Sequence, residues 1–173
     1  MHISAKVDYA VRTLLEIAHA PRLDPPTVGR AAPVAQAAPV VKAAPVVKAE
    51  AIATAQRIPP KVLESVLGEL RRAELVISRR GPDGGYWLAR PATEISIADV
   101  IRAIEGPLAS VRGERPEDVH YSGAAESLQR VWIAVRVNLR AVLENVSIDD
   151  IARNRLPGFV EALTEDPGAW SRR

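Results

Sequence analysis

The first twenty residues of the chain carry apolar side chains at the spacing of one helix face. Over residues 4–20 these side chains recur three and four positions apart, and Ser4 is a residue type that favours helix N-caps. The apolar positions are Val7, Ala10, Val11, Leu14, Leu15 and Ala18. The pattern predicts an amphipathic helix with one buried stripe, which the prolines starting at Pro21 bring to an end.

Residues 31–48 interrupt this pattern with three near-copies of a six-residue unit, AAPVAQ, AAPVVK and AAPVVK. A proline in each unit prevents a regular helix, and alanine and valine supply no turn chemistry. We therefore expect an extended linker, which forms an insertion at about residues 22–45. A few short units cannot bury a β-helix core. The insertion is either a surface expansion by tandem duplication or an arm that docks a partner.

Two short helices joined by a tight turn are predicted next. Residues 49–56 form the first helix, and the second begins at Pro59 or Pro60, because proline is compatible with the first helical turn. Such a pair is a helix-turn-helix candidate. One face of the second helix is apolar, with Leu63, Val66, Leu67 and Leu70. The other face carries Lys61, Glu64, Ser65, Gly68, Arg71 and Arg72, and it is either a solvated surface or a recognition surface.

A β-hairpin with a basic, glycine-rich turn follows directly. Residues 75–78 and 86–88 are strand-like, and the loop between them contains RRGPDGG at 79–85. A helix-turn-helix followed by such a hairpin is typical of the winged helix, in which a helix enters the major groove and the wing meets the flanking backbone or minor groove. Arginines suit both phosphates and a narrow minor groove, and glycines allow a close approach. Tyr86 is expected to pack in the core or the wing.

The second half of the chain predicts a long helix with an apolar seam. The capping box at residues 96–99 opens a helix that ends at Gly106, and an irregular stretch leads to a helix over about 124–146. Its seam consists of Leu128, Val131, Trp132, Val135, Leu139, Val142 and Val146. The seam packs either on its own domain or on a second copy of the chain, and we favour self-association. A further capping box at residues 147–150 starts a short helix.

These elements predict a mainly α fold with a small β-hairpin wing. Residues 1–106 are expected to form a winged helix-turn-helix DNA-binding domain that contains the repeat insertion. Residues 107–153 are expected to form a linker and a long dimerisation helix, and residues 154–173 a tail.

Composition narrows the chemistry that the chain can perform. Among 173 residues there is no cysteine, which excludes disulfides, thiolate-held metals and cysteine nucleophiles. The three histidines are far apart in sequence, which argues against a histidine-rich metal site. No P-loop, Rossmann fingerprint or nucleophile elbow is present. We therefore expect no enzyme activity, no metal and no cofactor. No signal-peptide pattern or membrane-spanning apolar run is found, so we expect a cytoplasmic protein without a membrane partner.

The formal charge of +2 conceals an internal polarity. Residues 1–90 hold 13 Lys/Arg and 8 Asp/Glu, a net charge of +5, whereas residues 91–173 hold 10 and 13, a net charge of −3. A basic first half suggests a region that binds a polyanion, joined to a mildly acidic body.

Five segments together resemble the Rrf-type winged-helix transcription regulators, which include IscR, NsrR and CymR relatives. The matching segments are ISAKVDYAVRTLLEIA (3–18), KAEAIATAQRIPPKVLESVLGELRRAELV (48–76), SRRGPDGGYWLARP (78–91), ISIADVIRAIEG (95–106) and LQRVW (128–132). The resemblance implies a homodimer that binds a roughly palindromic operator in double-stranded DNA. The DNA contacts it implies lie at Pro59, Pro60, Lys61, Val62 and Glu64, and in the wing at Arg79, Arg80, Gly81, Gly84 and Gly85, to which the polar helix face adds Arg71.

The chain departs from this family in the segment after the fourth helix. Iron–sulfur members place three cysteines there, whereas residues 106–128 contain none, so the usual cluster cannot form. Asp8 lies in the first helix, where some relatives supply a ligand other than cysteine, and His120 lies in the loop that would hold the cysteines. Without thiolates we interpret them as a surface carboxylate and a loop histidine. The signal is left open between a small molecule that binds between the winged helix and the long helix, a partner protein, and no signal at all. The rival interpretation of the fold is a winged helix used only for protein contacts.

Overall fold

The computed structural model describes residues 2–20 and 46–171 of the chain. The helices are α1 (Ala5–His19), α2 (Ala49–Gln56), α3 (Pro60–Arg72), α4 (Ile97–Glu105), α5 (Leu128–Leu143), α6 (Ile148–Ala152) and α7 (Gly158–Glu165). The strands β1 (Val76–Arg79) and β2 (Gly85–Leu88) form one antiparallel hairpin. This architecture confirms the expected fold class. The repeat insertion at 22–45 lies outside the described residues.

Helix α1 is the centre of the core. Its N-cap is Ser4, whose Oγ accepts a hydrogen bond from the backbone N–H of Val7 at 3.2 Å. The helix packs against α2, α3, α4 and α6. Leu14 and Ile17 are fully buried, and they meet the buried face of α3 in a single cluster. The predicted stripe is therefore confirmed in part. Val7, Ala10 and Leu14 are buried, Val11, Leu15 and Ala18 are only partly buried, and the buried face also includes Thr13 and Ile17.

Helices α2 and α3 form the predicted helix-turn-helix. Arg57, between them, adopts φ +52°, and Pro60 is the first residue of α3. Arg12 of α1 holds the end of α2, because its Nε donates to the side-chain oxygen of Gln56 at 3.1 Å and another of its nitrogens donates to the Gln56 carbonyl. The turn is thus fixed from the α1 side.

The hairpin pairs Val76 with Leu88 and Arg79 with Gly85. The last repeat unit contributes Val47 to its edge, since the backbone groups of Val47 and Tyr86 exchange hydrogen bonds of 2.9 and 2.8 Å. Tyr86 is half-buried and packs against the core, as expected.

Helix α5 is shorter than the prediction of a helix over 124–146. A 3-10 turn at Gly123–Ala125 precedes it, and α5 ends at Leu143. The chain must leave the helix there, because Val146 accepts a backbone hydrogen bond from Ile97 at 3.0 Å and Ile148 donates one to Ile95 at 2.9 Å. These bonds pair the segment before α6 with the segment before α4, which an extended α5 would prevent.

No helix in the described part of the chain is long and apolar enough to cross a membrane. Helix α7 and the 3-10 turn at Pro167–Trp170 pack mainly on each other, and their side chains are largely exposed.

Candidate nucleic-acid interface

The first turns of α3 present polar side chains to solvent above a buried face. Leu63, Val66, Leu67 and Leu70 are at most 2% exposed, whereas Lys61 and Glu64 are exposed. Pro59 and Pro60 are exposed at the helix start, and Val62 is partly buried against the core. The polar residues predicted for DNA contact therefore lie together on the accessible side of α3.

An ion pair joins α3 to α1 beside the buried face of α3. Lys6 of α1 contacts Glu69 of α3 with an Nζ–Oε1 distance of 2.6 Å, and Arg72, also in α3, lies 3.7 Å from the same oxygen. Together with the Arg12–Gln56 contacts, the Lys6–Glu69 pair ties both helices of the helix-turn-helix to α1. A recognition helix needs such rigid support, because its side chains must meet bases in a fixed register.

The wing carries two arginines with different surroundings. Arg79 donates from Nη2 to the backbone carbonyl of Asp83 at 3.2 Å, so its side chain lies across the turn. Arg80 is exposed, and its side chain makes no hydrogen bond or ion pair with any described residue. Arg80 is therefore available to an anionic partner.

The three wing glycines differ in their surroundings. Gly81 adopts φ +112° and is exposed, with open space where a Cβ would lie. Gly84 and Gly85 are buried, and a Cβ on them would lie 2.2 Å from the Arg79 carbonyl oxygen and 2.6 Å from the Val47 carbonyl oxygen. These two glycines therefore shape the hairpin by close backbone packing, while their contact with DNA stays a prediction.

Two further cations lie against the hairpin. Arg71, at the end of α3, reaches from Nη1 to the Ser78 Oγ at 3.5 Å. Lys48, which sequence reasoning did not select, donates from Nζ to the Pro82 carbonyl in the wing turn. Lys48 ends a repeat unit, and only the pairing of Val47 with β2 brings it to the wing. No local pattern in the sequence signals this contact.

The predicted dimerisation seam lies on α5 except for Val146, which follows the helix and is buried at 6% exposure. Helix α5 itself has no fully buried residue. Val131 is 50% exposed and Val135 is 43% exposed. Leu128, Trp132, Leu139 and Val142 are half-buried, and the Trp132 Nε1 donates to the Tyr121 hydroxyl at 3.2 Å. Within this chain the seam is thus only partly covered.

The residues around the cysteine-free segment do not fit an iron–sulfur cluster. His120 is exposed and its Nδ1 lies 3.1 Å from the Asp118 carbonyl oxygen, while Asp8 pairs with Arg12 at 3.2 Å. No group of three or more His, Cys, Asp or Glu suited to a metal occurs in residues 2–20 and 46–171. A cluster needs soft thiolate ligands, which the whole sequence lacks.

Comparison with known proteins agrees with this geometry. Residues 39–154 match the Rrf2 family, which is described as an iron-dependent transcriptional regulator. An HTH-type transcriptional regulator of Mycobacterium tuberculosis is 43% identical over 166 residues, which cover 96% of this chain and 90% of the relative. IscR of Cereibacter sphaeroides is 32% identical over 119 residues, covering 64% of this chain and 77% of that protein.

The solved structures give the same fold. CymR of Bacillus subtilis, described as a global cysteine regulator, superposes with a TM-score of 0.63 at 25% identity and covers 89% of this chain and 98% of its own. IscR of T. potens superposes with a TM-score of 0.58 at 22% identity, over 100% of this chain and 93% of its own. Because the family match extends through the helix-turn-helix, the wing and α5, the chain belongs to the Rrf2 family of helix-turn-helix transcriptional regulators.

Proposed function

We propose that the chain is a sequence-specific transcriptional regulator that binds a roughly palindromic DNA operator as a homodimer, without an iron–sulfur cluster. The observation that carries the proposal is the exposed polar start of α3 beside a wing whose arginines face solvent. The regulator names of the relatives support DNA as the partner. In this proposal residues 1–106 form the DNA-binding domain, residues 107–153 form the linker and the dimerisation helix, and residues 154–173 form a tail.

The start of α3 reads bases in the major groove. Lys61 donates to a phosphate or to guanine, and Glu64 accepts from the N4 amino group of cytosine and repels a misplaced phosphate. Pro59, Pro60 and Val62 shape this end of the helix. Since Lys6 ties α3 to α1 and Arg12 ties α2 to α1, these groups approach the groove in one orientation.

The wing binds the DNA backbone or the adjacent minor groove. Arg80 is the main contact, because nothing in the described part of the chain occupies its guanidinium. Arg79, Gly81, Gly84 and Gly85 present it, and Arg71 and Lys48 add positive charge on either side of the hairpin. These contacts position the protein and supply most of its affinity.

The homodimer forms through the seam on α5. Val131 and Val135 leave apolar surface exposed that a second copy of the same seam covers. A two-fold dimer presents two α3 helices to DNA, which is why the operator is expected to be an inverted repeat.

The test combines selection of binding sites from a random DNA pool with affinity measurements over a range of salt concentrations. The wild-type protein should enrich an inverted repeat, and Arg79→Ala together with Arg80→Ala should weaken binding and reduce the slope of log K against log salt by about 0.9 per lost phosphate contact. Glu64→Ala should change the preferred bases more than the affinity. Arg130→Ala, an exposed arginine of α5 away from the wing, is the matched control and should leave the slope unchanged.

Failure to enrich any sequence would favour the rival proposal, a winged helix that contacts only proteins. An unchanged salt slope in the double arginine variant would remove the wing from the DNA interface even if an operator is found.

A further inference from the structure

A cavity of about 530 Å³ lies between α4, the segment at residues 106–123 and α5. Its lining contains residues 106–109, Glu117 and four arginines. The arginines are Arg102 of α4, Arg115 of the segment, and Arg136 and Arg140 of α5. We refer to this cavity, with these four side chains, as the arginine pocket.

The arginine pocket has an excess of positive charge. Its lining contains four guanidinium groups and a single carboxylate, Glu117, which leaves three positive charges in excess. Outside the lining, Glu144 pairs with Arg102 and lies 2.9 Å from the Nε of Arg140. Asp99, which also pairs with Arg90, lies 3.8 Å from Nη1 of Arg102. Counting both of these carboxylates, the four arginines exceed their carboxylate partners by one. Guanidinium groups keep their charge at all physiological pH values, so the excess is permanent.

The carboxylates cannot lose their charge near neutral pH either. Hydrogen bonds from Arg102 and Arg140 lower the pKa of the Glu144 carboxyl below its ordinary value of 4.5. A backbone hydrogen bond, together with Arg136, lowers the pKa of Glu117 in the same way. Both groups are therefore fully ionised counterions, and no further carboxylate among residues 2–20 and 46–171 pairs with the remaining positive charge.

Donors in the pocket are left without acceptors. Arg136 pairs with Glu117 through Nη1, but its Nε is buried and makes no hydrogen bond. The Arg115 side chain makes no hydrogen bond or ion pair with the described residues. The Nε of Arg136 is shielded from solvent, whereas the Arg115 guanidinium is exposed and can bind an acceptor brought from outside.

We propose that the arginine pocket binds a small anion with at least two negative charges on carboxylate or phosphate groups. Planar guanidinium groups bind these oxygens in pairs, and arginines from three walls surround a ligand from several sides. The cavity volume lies in the range of small-molecule sites. The apolar residues 107–109 contact the uncharged part of the ligand.

Binding would join α4 to α5. Helix α4 packs on α1 and α3 in the core, whereas α5 makes only a few contacts with the remainder of the fold. An anion held by Arg102 on one side and by Arg136 on the other adds a bridge between them, which fixes the direction in which α5 leaves the winged helix. In a dimer, the direction of α5 sets the spacing of the two winged helices, so anion binding would change DNA affinity. This effect on DNA affinity rests on the proposed function, whereas the binding of the anion does not.

The experiment is isothermal titration calorimetry of the full-length protein without DNA, with inorganic phosphate, pyrophosphate and citrate as separate probes. At least one probe should bind once per chain, and Arg115→Ala should weaken it about tenfold through the loss of a charge-assisted contact. Arg136→Gln should weaken it as well. Arg130→Ala removes an exposed arginine of the same helix outside the pocket and should leave binding unchanged. Pyrophosphate or phosphate binding identifies a phosphate ligand, and binding of citrate alone identifies a carboxylate.

Three results would overturn the site. They are no binding of any probe, equal weakening in the Arg115 and Arg130 variants, or unchanged affinity in Arg115→Ala. The Arg115→Ala protein is expected to fold normally, because the Arg115 side chain pairs with no described residue. If no probe binds and Arg115→Ala also loses DNA affinity, the pocket contacts DNA instead of a small anion. A protein that binds a probe but no DNA keeps the site and refutes only the proposed function.

Discussion

Two glycines of the wing are required for different structural reasons. Gly81 provides a backbone conformation at φ +112° that other residues rarely adopt, whereas Gly84 provides the absence of a side chain. A Cβ on Gly84 would lie 2.2 Å from a carbonyl oxygen of the same turn, which is far inside van der Waals contact. The turn can therefore close only with glycine at this position.

Gly84→Ala should open the wing while leaving the helices folded. The added methyl group must push the turn away from Arg79, at a cost of about 1–3 kcal/mol. The backbone N–H of Tyr86, which donates to Val47 at 2.8 Å, should then exchange with solvent faster in hydrogen-exchange experiments. Gly158→Ala, where a Cβ meets nothing within 4 Å, is the control. Equal protection of Tyr86 in both variants would contradict this assignment.

Residues differ in how far the sequence predicts their place in the candidate site. The exposure of Lys61 and Glu64 follows from helical spacing, because the apolar residues of α3 fix which face is buried. Lys48 could not be predicted in this way. It reaches the wing through a bridge between Val47 and Tyr86, two residues far apart in sequence, and no local pattern encodes that pairing.

At the scale of elements, matching capping boxes start α4 and α6. In the second box the Ser147 Oγ accepts from the Asp150 N–H at 3.1 Å, and Asp150 accepts from the Ser147 N–H at 2.8 Å. The first box has the same reciprocal bonds between Ser96 and Asp99. Both starts were predictable, because a capping box is defined by a serine and an acceptor three residues apart.

Ser147→Ala should lower the free energy of unfolding by about 1 kcal/mol, the usual cost of losing an N-cap. Asp150→Asn should also destabilise at neutral pH, because hydrogen bonds from Ser147 lower the pKa of the Asp150 carboxyl below 3.8 in the folded protein. A lowered pKa stabilises the fold above pH 3.8 and loses that contribution as the pH falls through the folded value.

Urea unfolding at neutral pH and again below pH 3.8 checks this expectation. The difference between wild type and Asp150→Asn should shrink at the lower pH. Asp149→Asn removes a neighbouring carboxylate that only forms a surface pair with Arg153, and it should have little effect at either pH. A difference that stays constant with pH would assign the effect of Asp150 to something other than its charge.

The length of α5 could not be predicted from its own sequence. Its apolar spacing continues to Val146, but the backbone of Val146 is bonded to Ile97. A tertiary pairing therefore ends the helix at Leu143, against a local pattern that favours its continuation.

At the scale of the whole molecule, the seam on α5 should determine the oligomeric state. Val131→Asp combined with Val135→Asp places charges on exposed seam positions and should yield monomers in sedimentation analysis. Val137→Asp is the matched control, because Val137 is 57% exposed and points to the opposite side of α5 at about 100° per residue. Trp132 is a poorer test position, since it also bonds to Tyr121 within the chain. A dimer that survives the double change would place the interface elsewhere.

The whole-molecule architecture was largely predictable, whereas the arginine pocket was not. Helix faces, caps and the hairpin turn all favour the same winged fold, so independent local signals reinforce one another. The four arginines of the pocket come from three elements, at positions 102, 115, 136 and 140. They fall in the half of the chain with a net charge of −3, where charge counting gives no sign of a cationic site.

The pairing of Ser96 with Ser147 gives the fold a modular character. The chain leaves the end of α4 at Gly106 and returns at Val146 beside the start of the same helix, so everything between is an excursion with both ends anchored to one element. The entropy of closing such an excursion changes only slowly with its length. Insertions, deletions or replacements between these anchors can therefore change α5 and the segment before it, while the helix-turn-helix and the wing keep their own packing.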